Sequence, residues 1–198
     1  SLARYSDYIR LVILSKYGGI WIDASIICHS PFTWIHAIQE KTGAEFIGYY
    51  LDGYTKPEYL QISPVIESWF FACVPNSQFV MDWYKEFYRT SEFSTIVEYL
   101  KDLKDRYYTD FQKIDSLEYL TIHCAAQKVL QTNKQTYDLV LLQAKDSAYK
   151  YLVDADWDPN KAIDKLIRDN TQYFQYPIIK LRSVERNIIE QRSLQNMD

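Results

Sequence analysis

Two small groups of polar residues near the amino terminus could do chemistry. Asp23 closes the apolar run Ile20-Trp21-Ile22, at a strand's carboxyl end, where open α/β sheets place their ligands. A carboxylate there needs solvent, a cation or a donor group, since burying it unpaired is costly. Ser25 lies two residues on and shares a face with Asp23 if the chain is extended. An Asp-x-Asp pair at this place would chelate Mg²⁺ or Mn²⁺ and present it to a diphosphate. Here the second acid is replaced by a hydroxyl, so Asp23 and Ser25 are the candidate metal ligands and the divalent cation itself stays open. Asp23 read alone also fits an acid capping a turn. The second group is Asp7 and Arg10, three apart on a helical pattern and therefore on one face. Such a couple is either a structural ion pair or a clamp for ligand hydroxyls, the carboxylate accepting and the guanidinium donating. Its place one helix ahead of Asp23 puts both groups near one edge of the sheet.

The elements that must position these residues are legible. Ser6 is a candidate N-cap for a helix through Ile9, Leu11, Val12, Ile13 and Leu14, apolar nearly all round and therefore expected to be buried. Tyr17-Gly18-Gly19 ends it, because glycine supplies the left-handed conformation of a helix terminus. A short strand follows over Ile20 to Ile27, interrupted by Asp23 and closed by Pro31. A helix is expected over 33–40 and a strand over 45–50. Residues 51–63 form a loop, with mobility expected of it. A mostly buried strand carries Ile66-Glu67-Ser68-Trp69-Phe70-Phe71, and Pro75-Asn76-Ser77 opens an amphipathic helix. Further helices are expected over 93–106, 117–131 and 159–168, with a short strand at 139–142. Pro177 to Leu181 leads into a charged carboxyl-terminal helix. The class is α/β with a helical second half.

The chain has 198 residues, which suits one domain. Lys plus Arg numbers 22 against 26 for Asp plus Glu, a net charge of -4 that argues against general nucleic-acid binding. Eighteen tyrosines are the compositional outlier, and their flat rings with polar tips suit sugars, interfaces or a tyrosine-rich core alike. Cys28, Cys73 and Cys124 are widely spaced, so neither a zinc site nor a disulfide scaffold is expected, and a reducing, cytoplasmic setting is the simpler expectation. No apolar run approaches the ~20 residues that would span a bilayer.

Taken together, Arg4-Tyr5-Ser6-Asp7-Tyr8-Ile9-Arg10, Leu14 and Tyr17-Gly18-Gly19-Ile20-Trp21-Ile22-Asp23-Ala24-Ser25 resemble the signature of GT-A glycosyltransferases: Ser-Asp-x-x-Arg, an apolar helix, Tyr-Gly-Gly, a strand and an Asp-x-Asp-like end. The nearest resemblance is to the capsular polysaccharide synthesis family, whose members tend to read Asp-Ala-Thr or Asp-Ala-Ser here. Residues 64–70 with Pro75-Asn76-Ser77, Tyr119-Leu120-Thr121-Ile122-His123 and residues 177–182 extend it loosely over most of the chain.

The resemblance implies a GT-A-like, Rossmann-like nucleotide-diphospho-sugar transferase fold over residues 1–198, with the amino-terminal strand–helix–strand unit of that fold absent from it. That unit binds base and ribose in relatives, so the expectation is that a segment upstream of Ser1, or a partner chain, completes the nucleotide pocket. Asp7, Arg10, Ser25 and Ser68 would bind the donor sugar, and Asp23 would approach the diphosphate, through a divalent cation where one binds. Glu67, with Ser68, would lie beneath the transferred sugar, where it would orient the acceptor hydroxyl or shield a positive anomeric centre, unless it only pairs with Lys or Arg. Lys180 and Arg182 would supply positive charge over the diphosphate if no metal binds, or serve as solvated surface charge. His123, at apolar-face spacing, reads as a core or interface histidine. The implied activity is transfer of a sugar from a nucleotide-diphosphate donor to a glycan acceptor in capsular or other surface polysaccharide synthesis, with retention of anomeric configuration by analogy. Two rivals share the sequence: a non-catalytic sugar- or partner-binding module on the same fold, and an unrelated α/β domain with a tyrosine-rich protein-binding surface.

Overall fold

The structure, a computed structural model, describes residues 2–133 and 136–195. Contacts group the α/β chain into two compact units, Ser1–Ile22 with Ala37–Leu142 and Asp23–His36 with Gln143–Asp198, where length alone suggests one domain. The division follows from strand pairing. The segment that reads as one strand around Asp23 is two: β1 (Gly19–Ile22) and β2 (Ile26–Cys28) join different sheets.

In the first unit, α1 (Leu2–Tyr17) starts before Ser6, which therefore lies inside the helix and does not cap it. Nor is α1 buried all round. Arg10, Leu11, Leu14 and Ser15 are buried, while Ile13 is 44% exposed. Helix α2 (Thr33–Thr42) leads to β3 (Phe46–Tyr50), and β4 (Ile66–Cys73) follows the 51–63 loop. That loop is fastened at its end. Gln112 Nε2 donates to Ser63 O at 2.7 Å, Gln127 Nε2 donates to Pro64 O at 3.0 Å, and Lys56 pairs with Asp110 at 2.6 Å. Ser77 caps α3 (Gln78–Tyr88) by accepting from Val80 N, and a reciprocal Thr95/Glu98 capping box opens α4 (Ile96–Tyr107). Helix α5 (Thr121–Thr132) and β5 (Leu139–Gln143) complete the set. The sheet order is β1-β4-β3-β5, with β1 and β3 both antiparallel to β4. Its core joins Leu11 and Leu14 of α1 to Phe46 and Phe71 of the sheet and to Trp83 of α3. Trp83 keeps its indole N–H satisfied by donating to Ile122 O at 2.8 Å, so a large apolar ring is buried without stranding a donor.

In the second unit, β2 pairs antiparallel with β6 (Ile178–Lys180), in the register Ile26 to Lys180 and Cys28 to Ile178. Between them in sequence lie α6 (Lys150–Val153), α7 (Pro159–Arg168) and α8 (Asn170–Tyr173), and α9 (Ser183–Gln195) follows β6. Asp158 accepts from Asn160 N and Lys161 N ahead of Pro159, which starts α7 as expected. The lead-in to the last helix forms β6, because Ile178 and Ile179 bury fully only by pairing. Among the described residues no helix is long and apolar enough to cross a membrane.

Gly18 joins α1 to β1 at φ +64°, donating its N–H to Leu14 O at 2.9 Å, and a Cβ there would lie 2.5 Å from Pro75 N. Backbone geometry and close approach both demand glycine, so Gly18→Ala is expected to lower unfolding free energy by about 2–3 kcal/mol or more, read from urea denaturation. The thiols give a second check. Cys28 is exposed, whereas burial pushes the Cys73 and Cys124 thiols up to about 12. Since the thiolate is the nucleophile, iodoacetamide at about pH 8 is expected to label Cys28 in the folded protein and the other two only after unfolding, a pattern that peptide mapping resolves.

Candidate functional site

The first unit builds a polar cluster around Arg10. Its guanidinium donates to Ser68 O at 2.6 Å and to Ser68 Oγ at 3.3 Å, reaching from α1 to β4. It also donates to Ser6 Oγ at 3.3 Å and pairs with Asp7 Oδ1 at 3.1 Å, one turn back on its own helix. The Trp21 ring of β1 lies 4.8 Å from its central carbon, in cation–π contact. Three elements thus hold one planar cation. Arg10 itself is 6% exposed, while the Asp7 side chain, at 15%, borders a hollow of about 180 Å³ lined also by Ala3, Arg4, Glu118, Tyr119 and Thr121. Tyr119 stands 76% exposed at its rim.

Glu67 is the neighbour of Ser68 on β4, and successive residues of a strand point to opposite faces. Its carboxylate is 3.5 Å from His123 Nε2 of α5, both side chains being buried. The basic side chain beside it is thus a histidine, where the sequence left a Lys or Arg as one alternative. His123 is in the core as expected, yet neither of its ring nitrogens makes a hydrogen bond within the protein.

The second unit builds a different cluster. Residues 23–26 form a turn closed by Ile26 N donating to Asp23 O at 3.1 Å, so Asp23 and Ser25 do not share a face by strand alternation. What joins them is Lys180. Its ammonium lies 3.4 Å from Asp23 Oδ2 and donates to Ser25 Oγ. The β2–β6 register imposes this, since Lys180 stands opposite Ile26 and Leu181 N donates to Ser25 O at 2.9 Å. Both backbone groups of Lys180 are also used. Its N–H donates to Ala148 O at 3.0 Å, and its carbonyl accepts from Tyr151 Oη at 2.8 Å. Arg182 is committed elsewhere. It grips the fully buried Glu185 through Nε at 3.0 Å and a terminal nitrogen at 2.6 Å, with its guanidinium 5.4 Å from the Trp157 ring. Pairing with Glu185 holds the Arg182 guanidinium above its ordinary value.

One carboxylate and one hydroxyl closed around an ammonium do not fit a divalent cation, which wants several anionic or carbonyl oxygens and would be repelled by the charge already between them. Among the described residues no group of three or more His, Cys, Asp and Glu side chains is placed to hold a metal.

Of the residues that sequence singles out, the structure brings Asp7, Arg10 and Ser68 together, and separately Asp23, Ser25 and Lys180. Ser6 and Trp21 of the Arg10 cluster escape sequence reasoning as partners, although both sit inside the quoted motif. Tyr119 and Thr121 carry no local signal for the hollow they line, because it forms only when residues more than a hundred positions apart converge.

Residues 1–181 match the family described as capsular polysaccharide synthesis protein. No curated protein and no solved structure gives a significant match.

Because Arg10 is buried and its terminal nitrogens bond Ser6, Asp7 and Ser68, Arg10→Met takes a donor away from the Asp7 carboxylate and the Ser68 carbonyl. It is expected to cost about 3 kcal/mol, against about 1 kcal/mol for the near-isosteric Asp7→Asn, in equilibrium urea unfolding. Equal costs would deny the guanidinium its central place.

Proposed function

The chain belongs to the capsular polysaccharide synthesis protein family, and from that premise we propose that it is a glycosyltransferase moving a sugar from a nucleotide-diphosphate donor to a glycan acceptor. The observation that carries the reading is Asp7 held at the edge of its hollow by the buried Arg10. A sugar ring offers hydroxyls that donate and accept, together with flat C–H faces. Asp7 accepts from hydroxyls, Arg4 donates to them, and the exposed Tyr119 ring suits a C–H face. Arg10 is too buried to take a large share of direct contact. Its task is to fix the Asp7 carboxylate in place, and Ser68 in turn fixes Arg10.

The reaction itself asks little covalent work of the protein. The bond from the anomeric carbon to the phosphate oxygen breaks, the acceptor oxygen bonds to that carbon and loses its proton, and the nucleoside diphosphate leaves with the negative charge. Catalysis is then positioning plus electrostatic stabilisation of the leaving diphosphate. Asp23 keeps the diphosphate role that the resemblance implies for it. Glu67, as buried as Arg10 and 3.5 Å from His123 Nε2, acts in this reading from beneath, as the carboxylate that shields a positive anomeric centre. Retention of configuration follows by analogy with the family.

The test is an assay of the full-length protein with uridine and guanosine diphosphate sugars, following donor hydrolysis and transfer. Asp7→Ala and Asp23→Ala are each expected to lower the rate by about 100-fold or more while far-UV circular dichroism is unchanged. Unchanged turnover in either variant removes that residue from the mechanism. Binding of free glycan with no response to any nucleotide sugar identifies a sugar-binding module instead.

A further inference from the structure

Asp23 and Ser25 stand where an Asp-x-Asp pair would hold a divalent metal, and in this chain a cation is already there. Lys180 places its ammonium between the Asp23 carboxylate and the Ser25 hydroxyl. We propose that Lys180 is a built-in replacement for that metal: it fills the space between Asp23 and Ser25, and it is the fixed positive charge against which the second unit holds a diphosphate. The diphosphate half of this inference rests on the donor reading above, whereas the exclusion of a divalent cation does not.

Charge balance explains the serine. A divalent cation on two carboxylates is balanced, two positive charges against two negative. A monovalent ammonium on one carboxylate and one neutral hydroxyl is balanced as well. An aspartate at position 25 beside Lys180 would leave an excess negative charge where a diphosphate, itself anionic, has to approach. A neutral Ser25 and the ammonium of Lys180 therefore belong together across two strands.

The ammonium is held as a metal would be held, by its surroundings and not by chance contact. Lys180 is 9% exposed, and Ser25 likewise. The backbone of Lys180 is fixed on both sides, by Ala148 and Tyr151, and the strand register sets it across from the Asp23–Ile26 turn. Lysine normally loses rotamer freedom at a cost when it is immobilised. Here that cost is met during folding, so the charge is preorganised before any ligand arrives. Arg182, the other basic residue of the segment, is turned to the fully buried Glu185, which it grips through Nε at 3.0 Å and a terminal nitrogen at 2.6 Å.

Two titrations of the full-length protein test this. In the first, Mn²⁺ is added alone and free Mn²⁺ is counted by electron paramagnetic resonance. The wild type is expected to bind none at the Asp23 turn, and the paired substitution Lys180→Met with Ser25→Asp is expected to gain one Mn²⁺. In the second, uridine and guanosine diphosphate are titrated calorimetrically in EDTA and again in Mn²⁺. The wild-type affinity is expected to be the same in both to within about twofold, Lys180→Met to lose about tenfold or more in EDTA, and Lys180→Arg to retain most of the wild-type affinity. Circular dichroism and thermal melts screen each variant for folding, and the wild-type arms need no variant at all. Mn²⁺ binding by the wild type that Asp23→Ala abolishes, a more than tenfold gain in nucleotide affinity on adding Mn²⁺, or unchanged affinity in Lys180→Met would each overturn the proposal. If no nucleoside diphosphate binds in either buffer, the donor reading and the diphosphate half fail together, and the Mn²⁺ count alone decides whether Lys180 occupies the metal's place.

Discussion

A polar side chain on a buried strand must find a partner, and strand β4 places two such side chains in succession. Glu67 and Ser68 are both nearly inaccessible, on a strand otherwise made of Ile66, Trp69, the Phe70-Phe71 pair, Ala72 and Cys73. Leaving either unpaired would cost on the order of 1–3 kcal/mol for the hydroxyl and more for the carboxylate. Ser68 meets the demand through Arg10 of α1, and Glu67 faces His123 of α5. Because β4 also hydrogen-bonds to β1 on one side and β3 on the other, these side-chain contacts fix helices to sheet and not only residue to residue. The Asp7 carboxylate inherits its position from this chain of constraints.

The two charged clusters solve desolvation differently. Around Arg10 a guanidinium spreads its charge over an acid, two serines and an indole face, an arrangement suited to a planar, weakly hydrated cation. Around Lys180 a compact ammonium meets one acid and one hydroxyl. In each unit the net charge of the buried group is close to zero, which is what allows burial at all. A third network, Glu86 of α3 with Arg89 and Lys128 at 2.7 and 2.8 Å and Asp102 of α4 on Arg89 at 2.7 Å, follows the same rule with no link to the proposed chemistry. Its task is to bind α3 to α5 beside the Tyr107 ring.

Local signals carried much of the fold. The glycine pair after Tyr17, the Ser77 cap and the Pro159 start each operate within a few residues, and each produces the expected boundary. The turn at residues 23–26 did not show itself, because Ile20 to Ile27 is apolar apart from Asp23 and Ser25, a spacing that an unbroken strand also accommodates. The loop over 51–63 looked unconstrained for a related reason: the glutamines that fasten it come from 112 and 127. Ser6, polar and followed by a helical pattern, has the look of a cap. It is overridden because the helix gains a further turn by starting at Leu2.

By itself, the sequence determined the chemistry that spacing on one element can express. Asp7 and Arg10 had to meet because three residues is nearly one helical turn, and Asp23 had to end the apolar run it follows. Only the tertiary structure decided which distant groups those residues would answer to. Arg10 bonds Ser68 across 58 positions, and Lys180 reaches Ser25 across 155. The register of β2 on β6 follows from burying Ile178 and Ile179. That is a collective property of the packed unit, with no signal in the few residues around either partner, and so the cation between Asp23 and Ser25 became visible only in three dimensions.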